Sequence, residues 1–142
     1  MKKIKPPHVY VGMVDPEVGR GVFAIRAFFK GELAEEAPVF ILEEKYPDVP
    51  KEFKNRVFRW GMMTGTDAGI AIALGYGSIY NHSDRPNLIY EADDKNKILR
   101  FRARRAIDPN EQLTIHYRQE NDGGLPDKEE WFQKEGIEKK EL

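Results

Sequence analysis

Side chains able to do chemistry concentrate in one stretch of this 142-residue chain, Leu74-Gly75-Tyr76-Gly77-Ser78-Ile79-Tyr80-Asn81-His82-Ser83-Asp84-Arg85-Pro86-Asn87. Two glycines and a proline bracket a polar triplet, Asn81-His82-Ser83, carried between apolar runs. Gly75 and Gly77 let backbone approach a partner closely, and the triplet supplies donors and acceptors that a purely structural turn does not need. The stretch reads as a site. Two plainer readings stand beside it. Asn-His-Ser fits the acceptor pattern for N-glycosylation, although the amino terminus has no apolar secretory stretch, and a His beside a turn is commonly a satisfied polar residue. A second chemical candidate is Tyr117. Strand alternation over Gln112 to Tyr117 sets it on one face with Leu113 and Ile115, and sets Thr114 and His116 on the other.

The elements that must position these residues are short and mostly extended. His8 to Val14 and Val22 to Phe29 read as strands around an Asp15-Pro16-Glu17-Val18-Gly19-Arg20-Gly21 turn. Leu33 to Leu42 ends in the apolar run Val39-Phe40-Ile41-Leu42, suited to a buried strand, and Ile70 to Leu74 leads straight into the central stretch. Between Lys51 and Trp60 the apolar spacing suits a helix, while Val57-Phe58 suits a strand equally, so both remain open. Leu88 to Ala92 and Lys97 to Ile107 are joined by Asp93-Asp94-Lys95-Asn96, a hairpin connection. In the second of these, Leu99, Phe101 and Ala103 face one way and Arg100, Arg102 and Arg104 the other. That arginine stripe is a solvated sheet face or, less simply, a phosphate or nucleic-acid contact. Pro126 to Phe132 has an early proline and acids in its first turn, the pattern of a helix start, ending near Gly136. Many short strands with frequent turns predict a mostly-β single domain.

Composition narrows the chemistry. The chain has no cysteine, which excludes disulfides, thiolate zinc sites and a cysteine nucleophile. A formal net charge of −1 gives the whole molecule no bulk attraction for nucleic acid, so no direct nucleic-acid binding is expected. No apolar run reaches membrane-spanning length.

Three separated segments together resemble the signature blocks of the SET domain. They are Gly19-Arg20-Gly21-Val22-Phe23-Ala24 with Phe29-Lys30-Gly31-Glu32, then Gly75 to Asn87, then Asn110-Glu111-Gln112-Leu113-Thr114-Ile115-His116-Tyr117. The chain is most similar to minimal single-domain members, viral and prokaryotic ones included. The resemblance implies a SET-domain fold of small curved sheets with a carboxy-terminal pseudoknot and short helices. It divides the chain into a flexible arm over residues 1–7, the catalytic domain over 8–118, and a segment over 119–142 whose short helix would lie as a lid over the cofactor and lysine channel. It implies a protein-lysine N-methyltransferase using S-adenosyl-L-methionine and releasing S-adenosyl-L-homocysteine. The expected substrate is a protein with an exposed lysine in a basic segment, of histone-like, chromatin or ribosomal type, drawn by the acidic pairs Glu35-Glu36, Glu43-Glu44 and Asp93-Asp94. The alternative is an inactive SET-like module that binds a basic peptide. A homodimer and an intracellular location, cytoplasmic or nuclear, are expectations of the same origin, and no metal is implied.

Residue roles follow from the same resemblance. Gly19, Arg20, Gly21 and Val22 would lie against the cofactor, Asn81 and His82 would hydrogen-bond it, and Trp131 or Phe132 would pack over it. Tyr117 would be the catalytic tyrosine, also touching the cofactor, with Tyr76 or Tyr80 as the second tyrosine of the channel, Tyr76 favoured because it sits between glycines. Such a site suits tyrosine, which offers an apolar ring and an orienting hydroxyl without a permanent charge. Three positions depart from the family pattern. His116 stands where a small or acidic residue is usual, Arg118 where glycine is usual, and Ser78 where a base is common. Alternation predicts that His116 faces away from the point of transfer, and Arg118 is expected to crowd the channel or to form an ion pair across it.

Overall fold

The computed structural model describes residues 3–126. Its strands are β1 (Val9–Asp15), β2 (Gly19–Ala24), β3 (Leu33–Ile41), β4 (Ala71–Ala73), β5 (Asn81–His82), β6 (Leu88–Asp93), β7 (Ile98–Ala103) and β8 (Gln112–Ile115). Helical structure among the described residues is confined to single 3-10 turns at Tyr46–Asp48 and Lys51–Phe53 and to one short helix, α1 (Trp60–Thr64). The strands form two four-stranded sheets, in the orders β1-β2-β8-β5 and β4-β3-β7-β6.

Local pattern accounts for most of these elements. In β7, Leu99, Phe101 and Ala103 are buried, as their alternation requires, and β6 and β7 pair antiparallel from Leu88↔Ala103 to Asp93↔Ile98. Two of the three arginines on the other face are held by acids, Arg100 bonding Glu36 and Asp93 at 3.0 and 2.7 Å and Arg102 bonding Glu91 at 3.4 Å, while Arg104 donates to Gly123 O at 2.6 Å. Their neutralisation favours the structural reading of the stripe. Phe101 is the centre of the core, with ring centroids of Tyr80, Tyr90 and Phe58 at 4.7, 6.1 and 6.2 Å. Such aromatic pairs add about 0.5–1.5 kcal/mol each beyond burial.

Elsewhere the structure revises the sequence reading. Arg20 and Gly21 belong to β2 rather than to the preceding turn, which Gly19 alone closes with φ +82°. The second strand stops at Ala24 instead of Phe29. Beyond it the chain bends, leaving Ile25 and Phe29 exposed, and bridges again at Phe28↔Ile107. The ambiguous span from Lys51 to Trp60 is neither one helix nor one strand. It is a 3-10 turn, then an isolated Phe58↔Ala71 bridge, then the start of α1 at the fully buried Trp60, whose indole N–H donates to Asp94 Oδ1 at 2.7 Å. The helix and lid expected after Pro126, with Trp131 and Phe132, lie outside the described residues.

One pairing organises everything else. β8 lies between β2 and β5, antiparallel to the first through Val22↔Leu113 and Phe23↔Gln112, and parallel to the second through Asn81↔Thr114 and His82↔Ile115. It thereby gathers three segments far apart in sequence. Asn87, fully buried, fastens β8 beside the central stretch: its Nδ2 donates to Gln112 O at 2.7 Å and Glu111 Oε2 at 3.0 Å, and its Oδ1 accepts from Thr114 N at 2.8 Å.

Candidate active site

β8 ends at Ile115, so the alternation of the strand does not carry on to His116 and Tyr117. His116 packs inward against His82 of the triplet. It is 4% exposed, and its ring meets the His82 ring edge-on at 4.5 Å, while the His82 ring lies 5.1 Å from that of Tyr117. Tyr117 N–H donates to His82 Nδ1 at 3.0 Å. An Nδ1 that accepts leaves the proton of the neutral ring on Nε2, which donates to Asp84 Oδ1 at 3.0 Å. His116 repeats the device one residue along, its Nδ1 accepting from Arg118 N at 3.0 Å. Burial, with the nearby His82, pulls the His116 pKa down from 6.5 to about 4.

His82, Asp84 and His116 offer three atoms within 4.8 Å of one another, a spacing that would fit a metal. The hydrogen bonds argue otherwise. A metal-bound imidazole donates its second ring N–H, whereas here each Nδ1 accepts a backbone N–H, leaving Nε2 protonated and unable to ligate. The cluster instead fixes the turn that carries Tyr117.

Asn81 connects the other two segments. Its amide hydrogens go to Arg20 O at 2.8 Å and Gln112 Oε1 at 3.0 Å, which leaves Oδ1 as an acceptor with no partner among the described residues. This close approach needs Gly21. A Cβ there would stand 2.7 Å from Val14 Cγ2, 2.8 Å from Gln112 Oε1 and 3.2 Å from Asn81 Nδ2. Gly19, Arg20, Gly21, Val22, Asn81, His82 and Tyr117 are thus brought into one neighbourhood by β2, β5 and β8.

A cleft of about 580 Å³ opens beside Tyr117, with Tyr80, Tyr90, Phe58, Ile115 and Arg118 in its walls. Tyr76 does not line this cleft. Its backbone is drawn instead to a buried acid: Glu35, 3% exposed, accepts from Tyr76 N at 2.9 Å and from the Tyr80 hydroxyl at 2.6 Å. Desolvation raises the Glu35 pKa and, more strongly, that of Tyr80, which Glu35 raises further. Gly75 is required at this point twice over, by its φ of +64° and by Glu35 Oε2, which would lie 2.6 Å from any Cβ. Tyr90 is likewise held, its hydroxyl donating to His116 O at 3.1 Å. The Tyr117 phenol pKa is raised by burial, and the charge of Arg56 acts against that rise. Arg56 reaches the carbonyls of Ser78 and Ile79 at 3.4 and 3.3 Å, so a cation arrives at Ser78 from another segment.

Two of these residues carried a faint signal in the sequence. Glu35 stands in register with Ala37 and Val39, two and four positions on, so alternation aims a carboxylate at the core. Tyr80 is fully buried directly before Asn81. Arg56 carried no signal, because its partners are 22 and 23 residues away.

Comparison with known proteins places this geometry. A family profile described as the SET domain matches residues 19–118. A Schizosaccharomyces pombe protein named histone-lysine N-methyltransferase, H3 lysine-37 specific, is 28% identical over 99 residues, which are 70% of this chain and 66% of that relative. Among solved structures, a Plasmodium falciparum protein described as a candidate histone methyltransferase aligns with TM-score 0.63 at 23% identity, covering 82% of this chain and 97% of that one. A chain of a humanized mutant of the Chaetomium thermophilum Polycomb Repressive Complex 2 aligns with TM-score 0.62 at 16% identity, covering 87% of this chain and 16% of the other. These structures share the fold.

Proposed function

The chain belongs to the SET-domain family, and on that premise we propose that it is a protein-lysine N-methyltransferase whose methyl donor is S-adenosylmethionine. The observation that carries this reading is the convergence, through β8, of the Gly19–Gly21 backbone, the Asn81-His82 pair and the segment of Tyr117, which itself lines the cleft. The methyltransferase named among its relatives supports it.

The residues fit the donor's chemistry. Its ammonium needs an acceptor, and Asn81 Oδ1 is free to be one among the described residues. When bound, the donor supplies a methyl group whose bond to a sulfonium breaks as the lysine nitrogen takes it, leaving a neutral thioether. The chain's own task is to hold reactants in line and to exclude water. The lysine must arrive neutral. From a reference pKa near 10.4, that costs about 4.6 kcal/mol at pH 7, at about 1.36 kcal/mol per unit. Apolar walls such as Phe58 and Ile115, and the nearby positive charge of Arg56, both favour the neutral amine. The hydroxyl of Tyr117 orients it, and the proton lost from nitrogen passes to water. His82 acts through Tyr117, fixing its backbone.

Calorimetric titration with S-adenosylhomocysteine, paired with transfer of labelled methyl to lysine peptides, tests the reading. Tyr117→Phe is expected to keep product binding within about threefold while transfer falls about 100-fold, the order seen when one positioned catalytic hydroxyl is removed. A folded wild type that binds neither donor nor product refutes the proposal and favours a peptide-binding module.

A further inference from the structure

Several charged side chains elsewhere in the described structure form ion pairs. Arg26 meets Glu32 at 2.8 Å, Lys97 meets Asp94 at 2.8 Å, and Arg105 meets Glu111 at 2.8 Å. The cleft beside Tyr117 gathers cations on its walls. Its lining carries Lys54, Arg56, Arg59 and Arg118 against Glu91 and Glu120, and Glu91 is engaged by Arg102 at 3.4 Å. Lys54, Arg56 and Arg59 have no ion-pair partner among the described residues. The Arg59 guanidinium rests 4.0 Å from the Tyr46 ring centroid and the Lys54 ammonium 5.3 Å from it. Both cations are therefore held by one aromatic ring of the cleft wall.

Of the acids expected to draw a basic segment, Glu43 and Glu44 do not line the cleft and the others are occupied. Glu35 is buried against Tyr80 and Tyr76, Glu36 and Asp93 hold Arg100, and Asp94 serves Lys97 and Trp60. A segment rich in lysine and arginine would bring like charges against Lys54 and Arg59 without these acids to offset them, and like-charge juxtaposition suppresses binding.

Resting on the methyltransferase reading, we propose that the cleft selects a lysine flanked by acidic residues, which the cations around Tyr46 receive while Arg56 faces the target amine. The division of labour is chemically consistent. Carboxylates beside a lysine stabilise its ammonium form, so a flank that is bound must have those charges taken up by the protein. Lys54 and Arg59 do that, and a positive charge beside Tyr117 then favours the neutral amine.

The test uses the full chain and three fluorescent peptides of one backbone, with glutamate, serine or arginine on both sides of a central lysine, in the presence of S-adenosylhomocysteine. The glutamate peptide is expected to bind about tenfold more tightly than the serine peptide at low salt, and the arginine peptide more weakly than either. That advantage should shrink as ionic strength rises from about 50 to about 500 mM. The pair Lys54→Glu and Arg59→Glu, in one protein, is expected to reverse the order, and single glutamine variants to flatten it if the double variant does not fold. Equal binding of all three peptides overturns the proposal, as does preference for arginine. Failure of the methyltransferase reading shows separately, as absence of S-adenosylhomocysteine binding, and leaves the peptide order measurable.

Discussion

Replacing Glu35 tests whether a buried acid underpins the central stretch. The carboxylate is 3% exposed and accepts two hydrogen bonds, from the Tyr80 hydroxyl at 2.6 Å and Tyr76 N at 2.9 Å. Glu35→Ala leaves both donors without a partner, Tyr80 in a fully buried position. At about 1–3 kcal/mol for each orphaned group, the expected loss is about 2–5 kcal/mol. Glu35→Gln keeps an acceptor for Tyr76 N and a group able to meet the Tyr80 oxygen, so its cost is about 1 kcal/mol or less at low pH. The pH dependence separates the two effects. Burial raises the native pKa of Glu35 above its ordinary 4.5, so between those values the native state binds more protons than the unfolded state. The stability it contributes is present below pH 4.5 and declines as pH rises through the native pKa. Glutamine cannot ionise, so the difference between wild type and Glu35→Gln should narrow, or change sign, as pH rises from about 4.5 to about 8. Urea unfolding across that range reads both quantities. A Glu35→Ala cost under about 0.5 kcal/mol, or a wild-type advantage over glutamine that grows with pH, refutes the reasoning.

Other expectations follow from the same geometry. His116, with its pKa lowered from 6.5 to about 4, should withdraw stability as pH falls between those values, because the unfolded chain takes up the proton first. The full effect is about 3 kcal/mol, and His116→Gln should remove that slope from the unfolding midpoint measured at pH 7 and pH 5. Gly21→Ala should cost about 1–3 kcal/mol by overpacking against Val14 and should weaken S-adenosylhomocysteine binding, since the new methyl group presses on the Asn81 and Gln112 amides. An unchanged affinity would show that the Asn81 clamp on Arg20 does not shape the site. Asn87→Ala, which severs three bonds to the β8 segment, should lower stability by about 2–4 kcal/mol. Hydrogen exchange should then show β8 opening ahead of the β6–β7 hairpin.

What the sequence determined by itself is what repeats over short distances. Alternation of Leu99, Phe101 and Ala103 with three arginines dictates β7, and Asp93 to Asn96 dictates the hairpin, because side-chain direction and turn chemistry depend on neighbours in the chain. The three family blocks were likewise legible as residue patterns, and Tyr117, Asn81 and Gly21 with them. Tertiary structure alone decided how these meet. Nothing in Gln112 to Ile115 says that it inserts between β2 and β5, since a strand's hydrogen-bonding edges are the same whatever partner they find. Once β8 is there, it ends at Ile115, and the next two residues leave the strand period, which is why the His116 ring is buried against that of His82. Burial of Glu35, the choice of Tyr80 and Tyr90 over Tyr76 for the cleft, and the arrival of Arg56 at Ser78 are of the same kind. Each depends on segments tens of residues apart whose attraction is written in no local pattern, only in which polar groups remain to be satisfied once the core has closed.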